Sequence, residues 1–161
     1  MTLSKEMLNE IYEYKDGELY YKVTRGVRAN QGAIVGSIHN QGYRVTKINN
    51  KEQKVHRLIF ALHHGWWPLE VDHINGLRAD NRIENLRPAN DLQNAQNAKL
   101  RKDNTSGVKG VHWSKVSKKW MVRVSVLGKE KSFGVFADLE LAELVATEIR
   151  EKYHGAFARH A

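Results

Sequence analysis

The sequence predicts an α+β protein made of two small domains. Three observations support this fold class. Short β-type runs separated by turn residues occur in both the first and the last third of the chain. Stretches with helical spacing of apolar residues accompany them. A polar, basic stretch lies between the two sets and reads as a linker. We therefore predict domains at 1–98 and 106–161, joined by a basic linker at 99–105.

The first domain is predicted to begin with a helix and to continue as antiparallel β-structure. Helical spacing covers residues 3–11, behind Ser4 as a possible N-cap. The pair Asp16-Gly17 then predicts a hairpin over 12–21. Further strands are predicted at 33–38, 43–48 and 53–57.

Two more helices are predicted in this domain. Apolar side chains share one face of residues 56–64, and Gly65 ends that helix. After a loop-rich stretch, Asn90 is a natural N-cap and Gln93 completes a capping box. This helix should run to about Leu100.

The second domain is predicted as three strands and one helix. The strands fall within 108–114, 119–126 and 129–136. The helix covers 137–155 and should pack on the strands through its apolar side chains, which are Leu141, Leu144, Val145, Ile149 and Tyr153.

Charge indicates the class of partner. The 161 residues include 26 Lys and Arg against 18 Asp and Glu, which gives a net charge of +8. Residues 99–136 hold ten basic and two acidic side chains, so the excess is local and favours a polyanion such as double-stranded DNA. The absence of cysteine excludes disulfides and thiolate zinc sites. With no membrane segment in the sequence, we expect a cytoplasmic protein. We also expect that it needs no small-molecule organic cofactor.

The densest cluster of potential ligands lies at 71–97. Asp72 adjoins His73, and Asn94 and Asn97 fall on the last predicted helix of the first domain. A carboxylate and an amide oxygen suit a hard cation such as Mg²⁺, and His73 suits a general base at neutral pH. Asn94 is the preferred second ligand, and Asn97 is the alternative.

The pattern D-H-x-x-G, then N-x-x-x-N-L-R, then N-x-x-N on a helix resembles the HNH endonucleases, in particular their phage-type and homing branch with Asn at the last motif position. With the upstream VHRLIFALHHGWWP, the match extends over about 53–98. The resemblance implies a ββα-metal fold in which Asp72 and Asn94 hold one metal ion per active site. It implies that His73 activates water and that Asn85 steadies the loop and this histidine. Asn in place of His favours Mg²⁺ or Mn²⁺ over Zn²⁺.

Other polar residues of this region have alternative interpretations. Arg78 and Arg82 are candidates for phosphate contacts, as is Arg87. Arg82 equally suits a surface pair with Asp80 or Glu84. For His56 we favour a structural role over catalysis, because it precedes an apolar helix face.

Residues 106–161 resemble an Apetala-type (ethylene-response-factor) DNA-binding domain, through S-x-x-x-G-V, K-K-W-x-V-R-V, G-K-x-K-x-F-G-x-F and the closing Y-H-G. The resemblance implies DNA contacts from outward side chains of the sheet. Val122 and Val124 should face the helix. The sequence leaves open whether Trp113 and Trp120 stack on DNA or cover the sheet. The DNA-binding candidates of this domain are Lys109, His112, Ser114, Lys115, Lys119, Trp120, Arg123, Lys129 and Lys131.

The sequence thus predicts a site-selective DNA endonuclease that hydrolyses phosphodiester bonds, either a phage homing enzyme or a free-standing one in the host cytoplasm. With one hydrolytic site, a monomer should nick one strand, and the oligomeric state is open. The alternative is a non-catalytic DNA-binding regulator built on the same two domains. An RNA-binding role is disfavoured, because the narrow major groove of A-form RNA does not admit a strand-based reader.

Overall fold

The computed structural model describes residues 3–160, which form two compact units divided between Asn90 and Asp91. Both units mix helices with small antiparallel sheets, as the sequence predicts. The helix that begins at Asp91 is grouped with the second unit, whereas the sequence analysis places it in the first domain. None of the helices in the described range is both long and apolar enough to cross a membrane.

The first unit opens with helix α1 (Lys5–Ile11), and the Ser4 side chain accepts a hydrogen bond from the Met7 backbone, which confirms the predicted N-cap. The predicted hairpin is also present, as β1 (Tyr12–Lys15) and β2 (Glu18–Tyr21). Asp16 and Gly17 both have positive φ, which matches the turn type favoured in two-residue hairpins.

A second sheet contains β3 (Ser37–Ile38), β4 (Arg44–Ile48) and β5 (Lys51–Lys54) in that order. The prediction of a full strand over 33–38 is wrong. Gly36 adopts a φ of +78°, and a Cβ there would lie 2.2 Å from the Val45 carbonyl oxygen. This close approach requires glycine and interrupts the strand.

Helix α2 (Val55–His64) forms the centre of the first unit and ends at Gly65 in the left-handed conformation, as predicted. The predicted strand over 53–57 is wrong in its second half, because the chain turns helical at Val55. Helical spacing lets this helix bury its apolar side chains in one core, and that burial outweighs the β propensity of a single valine. The fully buried ones are Val55, Leu58 and Ile59.

The last elements of this unit are β6 (Glu70–His73), a 3-10 turn (Ile83–Asn85) and β7 (Leu86–Ala89). The two strands pair antiparallel, with Asp72 opposite Arg87 and His73 opposite Leu86.

The second unit begins with helix α3 (Asp91–Gln96), which ends before the predicted Leu100. The Lys109 ammonium donates to the carbonyls of Gln96 and Ala98, at 2.7 and 2.5 Å. A lysine at this place satisfies carbonyls that lack a partner at a helix end.

Three strands then form one sheet in the order β10-β9-β8: β8 (Val111–Ser114), β9 (Lys119–Val126) and β10 (Lys129–Phe136). Helix α4 (Leu139–His154) packs mainly on β9, and Val122 and Val124 are buried as predicted.

The predicted packing face of α4 is confirmed only in part, because Val145 and Ile149 pack against the core of this unit but the other three predicted residues do not. Leu141, Leu144 and Tyr153 are exposed, whereas Ala142 and Ala146 are fully buried. Alanines four residues apart leave room for the helix to approach the sheet closely, so the small side chains face the strands.

Candidate active site

The β6–β7 hairpin and the loop between its strands hold most of the buried polar side chains of the first unit. Asp72 and His73 end β6 at 5% and 4% exposure. Asn81 in the loop and Asn85 at its end are also buried, at 1% and 7%. Four polar side chains are thus withdrawn from water in one short segment, which is costly unless each has partners.

His73 is oriented by Asn81, a residue to which the sequence analysis gave no role. The Nε2 atom of His73 lies 3.0 Å from the Asn81 Oδ1. An amide oxygen only accepts hydrogen bonds, so the tautomer that makes this hydrogen bond carries the ring proton on Nε2 and has Nδ1 as its basic nitrogen. Asn81 is the first Asn of the N-x-x-x-N-L-R pattern, but its contact with His73 depends on how the intervening loop closes, so the pattern alone did not assign this role.

Asn85 closes that loop. Its Oδ1 accepts from the Asn75 backbone at 3.0 Å, and its Nδ2 donates to the Asn75 side chain at 3.0 Å and to the Asp80 carbonyl at 2.7 Å. The Ile74 backbone also donates to the Asn85 carbonyl. These bonds fix both ends of the loop that carries Asn81, the kind of role that the family resemblance implied for Asn85.

Burial lowers the pKa of His73, while the hydrogen bond to Asn81 and the nearby Asp72 and Asp80 oppose part of that shift. The imidazole is therefore neutral at pH 7 and can accept a proton. This is the protonation state that a general base requires.

Two aromatic rings lie beside His73. The ring centre of His56, on α2, is 4.7 Å from that of His73 in an edge-to-face arrangement. Tyr43 lies 6.0 Å from His73 and 5.4 Å from His56. Burial, with added repulsion from His73 and nearby cations, lowers the pKa of His56 to about 2. His56 therefore packs as a neutral ring, in line with the structural role favoured for it.

Asp72 is paired with Arg87 across the hairpin. Both Nε and a terminal nitrogen of Arg87 lie 2.8 Å from the Asp72 Oδ2. The buried carboxylate is thus held in one orientation. Its oxygens are donors of the kind that Mg²⁺ prefers, so the chemistry of this residue fits an oxygen-binding divalent cation.

Within the described part of the chain, no group of three or more His, Asp or Glu side chains is arranged to hold a metal ion. The predicted ligand set is smaller than such a group, since it consists of one carboxylate and one amide. Mg²⁺ commonly binds to one or two protein groups and completes its coordination with water and phosphate. Asn94 lies on α3 and is partly buried, and Asn97 lies just beyond the helix and is buried. Both belong to the second unit.

Of the three arginines predicted to contact phosphate, Arg87 pairs with Asp72, and the other two differ in their surroundings. Arg82 forms a two-fold contact with Asp80, with both N···O distances at 2.8 Å, and this guanidinium holds the pKa of the Asp80 carboxyl below its usual range. Arg78 is exposed and donates to the Gln41 carbonyl at 2.9 Å. The surface pairing of Arg82 is one of the two alternatives that the sequence left open.

The strand register divides the basic side chains of the second unit between two faces. Arg123 is exposed, and it lies between buried Val122 and Val124, so it points away from α4. The register places three other candidates on this outer face, namely His112, Ser114 and Lys119. Lys131 pairs with Val124 and Lys129 with Val126, which puts both lysines on the opposite face at the sheet edge. The expectation that Lys131 shares the outward surface with Arg123 is therefore wrong.

Two further DNA-binding candidates are engaged within the second unit. Burial, with the Arg150 and Arg159 cations nearby, lowers the pKa of Lys109 to about 8, and its ammonium is bound by two backbone carbonyls. Trp120 packs against the core of this unit and meets Trp113 edge to face at 5.0 Å. Both arrangements favour structural roles. Lys115 is exposed in the turn between β8 and β9.

Comparison with known proteins identifies related sequences. A family model described as HNH endonuclease matches residues 53–96, which include α2 and the whole β6–β7 hairpin. Protein 3.8 of Escherichia phage T7 is 40% identical over 91 residues, which is 55% of this chain and 73% of that protein. No solved structure shows a significant match.

Proposed function

The chain contains an HNH endonuclease domain and belongs to the family of phage T7 Protein 3.8, and from this premise we propose that it is a metal-dependent, site-selective endonuclease acting on double-stranded DNA. The observation that carries the proposal is the buried His73, which is neutral, oriented through Nε2 by Asn81 and adjacent to the Asp72 carboxylate.

His73 accepts the proton of the attacking water at Nδ1. Because Asn81 holds the opposite ring nitrogen, the ring does not need to reorient when the substrate arrives, and such preorganisation lowers the barrier to attack. General-base help of this kind is worth about 10²- to 10⁴-fold in rate. Asn85 keeps the loop closed and so preserves the contact between Asn81 and His73.

Asp72 and Asn94 are the residues we propose to hold one Mg²⁺ or Mn²⁺ in a ββα-metal arrangement, with Asn97 as the alternative to Asn94. The bound cation would stabilise negative charge on the phosphate and on the departing oxygen. Arg87 keeps the Asp72 carboxylate in place.

The second unit is proposed to select the DNA site, as in the Apetala-type domains that its sequence resembles. A three-stranded sheet with one helix behind it leaves the outer face, with Arg123, His112, Ser114 and Lys119, available to a DNA groove. We propose that a monomer cleaves one strand. We further propose that the protein is a homing or free-standing phage enzyme, with domains at 1–98 and 106–161.

Supercoiled plasmid incubated with and without Mg²⁺ tests this function. We expect metal-dependent conversion of the plasmid to open circles. The cleavage rate should fall by about 10²- to 10⁴-fold in His73→Ala. It should fall by about 10- to 100-fold in Asn81→Ala, which keeps the base but not its orientation. His64→Ala removes an exposed imidazole from α2 and serves as the control.

Retardation of the plasmid without cleavage would support the regulator instead. Cleavage by His73→Ala at the wild-type rate would overturn the assignment of the base.

A further inference from the structure

Two cationic side chains lie on one aromatic ring beside His73. The Lys54 ammonium lies 4.8 Å from the centre of the Tyr43 ring, and the Arg78 guanidinium carbon also lies 4.8 Å from it. Lys54 ends β5, Tyr43 precedes β4, and Arg78 lies in the loop after β6. Three separate parts of the first unit therefore meet at this ring.

These two cations lack anionic partners. Among residues 3–160, no carboxylate lies within ion-pair distance of Lys54 or Arg78, whereas Arg44, Arg57, Arg82 and Arg87 of the same unit each have one. A cation over an aromatic face is attracted by the electrons of the ring. Gathering two like charges at one ring has an opposing cost, which an anion bound near both would offset.

The surrounding turn fixes this arrangement. The His39 backbone donates to the Tyr43 carbonyl at 2.7 Å, and Arg78 donates to the Gln41 carbonyl at 2.9 Å. Gly42, between them, has a φ of +83°, and a Cβ there would meet the Arg78 side chain at 3.9 Å. Tyr43 and Arg78 are thus held by an ordered turn, while Lys54 is carried by β5.

We propose that Tyr43, Lys54 and Arg78 form a binding site for backbone phosphates of the DNA strand that is cleaved, next to the phosphate attacked through His73. The proposal rests on the proposed function. It extends that function by assigning the substrate contacts to the first unit as well as to the sheet of the second. Tyr43 acts as the positioning residue that keeps both cations beside the general base, and a phosphate diester is the anion that fits them.

The test uses the full chain and a fluorescent DNA duplex without divalent metal, so that binding is measured independently of cleavage. We expect Lys54→Gln and Arg78→Gln each to weaken DNA binding about tenfold and to lower the slope of log affinity against log salt by about 1. Lys51→Gln removes the same charge from an exposed position on the same strand and is the matched control, expected to change affinity less than about twofold.

Tyr43→Phe keeps the ring and should bind DNA as the wild type does, whereas Tyr43→Leu should weaken binding as the cation variants do. In plasmid cleavage, Lys54→Gln and Arg78→Gln should each raise KM about tenfold over the wild type and change kcat by less than about twofold. The reason is that these residues bind the substrate and do not react. Wild-type affinity and salt slope in both cation variants would overturn the proposal. The proposal would also be overturned if Lys51→Gln lost as much DNA affinity as Lys54→Gln. A wild-type protein that binds but never cleaves would refute the nuclease function and leave the binding test intact.

Discussion

The two units place their polar side chains in opposite ways. The first unit buries Thr46, His56, Asp72, His73, Asn81 and Asn85, and most of them lie at the β6–β7 hairpin or against it. The second unit buries only Asn97 and Arg150 among its described polar side chains and leaves most of its lysines exposed. Buried polar groups gain orientation and altered pKa values, whereas exposed charges gain long-range attraction that salt weakens. On the proposed function, the chemistry therefore depends on buried groups of the first unit, whereas long-range attraction of DNA depends mainly on exposed charges of the second.

The same difference explains why net charge did not identify the candidate site. The local excess of basic side chains lies in residues 99–136, outside the HNH match at 53–96. A general base needs a fixed orientation and a neutral form at working pH, and both come from burial and hydrogen bonds. The predictions below test whether the two units differ in this way.

The largest effect is expected from removing the partner of a buried charge. Arg87→Met leaves Asp72 buried without its guanidinium, and we expect the free energy of unfolding to fall by about 3–5 kcal/mol. Arg101→Met breaks the exposed Arg101–Asp103 pair of the second unit and should cost less than about 1 kcal/mol. Urea denaturation of the three proteins measures both values. Equal losses in the two variants would contradict the difference between the units.

A smaller effect is expected from the pH dependence of stability. In the unfolded chain His56 takes up a proton near pH 6.5, whereas in the folded protein its pKa is about 2. Acid therefore favours the unfolded state, and stability is lost as pH falls from about 6.5 towards 2. Between pH 7 and 5 the loss from this residue is about 2 kcal/mol.

Unfolding free energies at pH 7 and pH 5 provide the measurement. His56→Gln should lose about 2 kcal/mol less than the wild type over this interval, and His64→Gln, exposed on the same helix, is the control. If the wild type and His56→Gln show the same change with pH, His56 titrates normally in the folded protein.

The smallest effect is expected on the surface of the second unit. Arg123→Gln should weaken binding to the preferred DNA site by about tenfold, as for loss of a contact to a base edge. Lys131→Gln, on the other face of the sheet, should change binding less than about twofold. Fluorescence anisotropy at one fixed salt concentration compares them. A larger loss in Lys131→Gln would place the DNA on the opposite face.

Much of the fold follows from local sequence signals. The Ser4 cap, the Asp16-Gly17 turn and the end of α2 at Gly65 each depend on a few neighbouring residues, so they were predictable. Gly36 breaks its strand because of a carbonyl nine residues away, and no local pattern contains that information. The buried face of α4 was predicted only in part: Val145 and Ile149 pack on the core, but hydrophobicity favoured the exposed leucines, whereas close packing on the sheet selected Ala142 and Ala146.

The candidate site shows the same limit. Asp72, His73 and Asn85 were identified because they stand at fixed spacings in a recognisable motif. Asn81 stands in the same motif, but its role was not predicted, because it depends on how the loop closes onto His73. Tyr43 and Lys54 were not identified, since each reaches the site through a contact formed only when separate segments fold together.

The sequence by itself determined the class of chemistry, because residue types and their spacing decide which groups are available to hold a metal ion or accept a proton. The tertiary structure decided which nitrogen of His73 is basic, which partner holds Asp72, and which side of the C-terminal sheet presents each cation. These properties depend on distances of a few ångströms between residues far apart in the chain, and on the removal of water from around them. Folding alone supplies both.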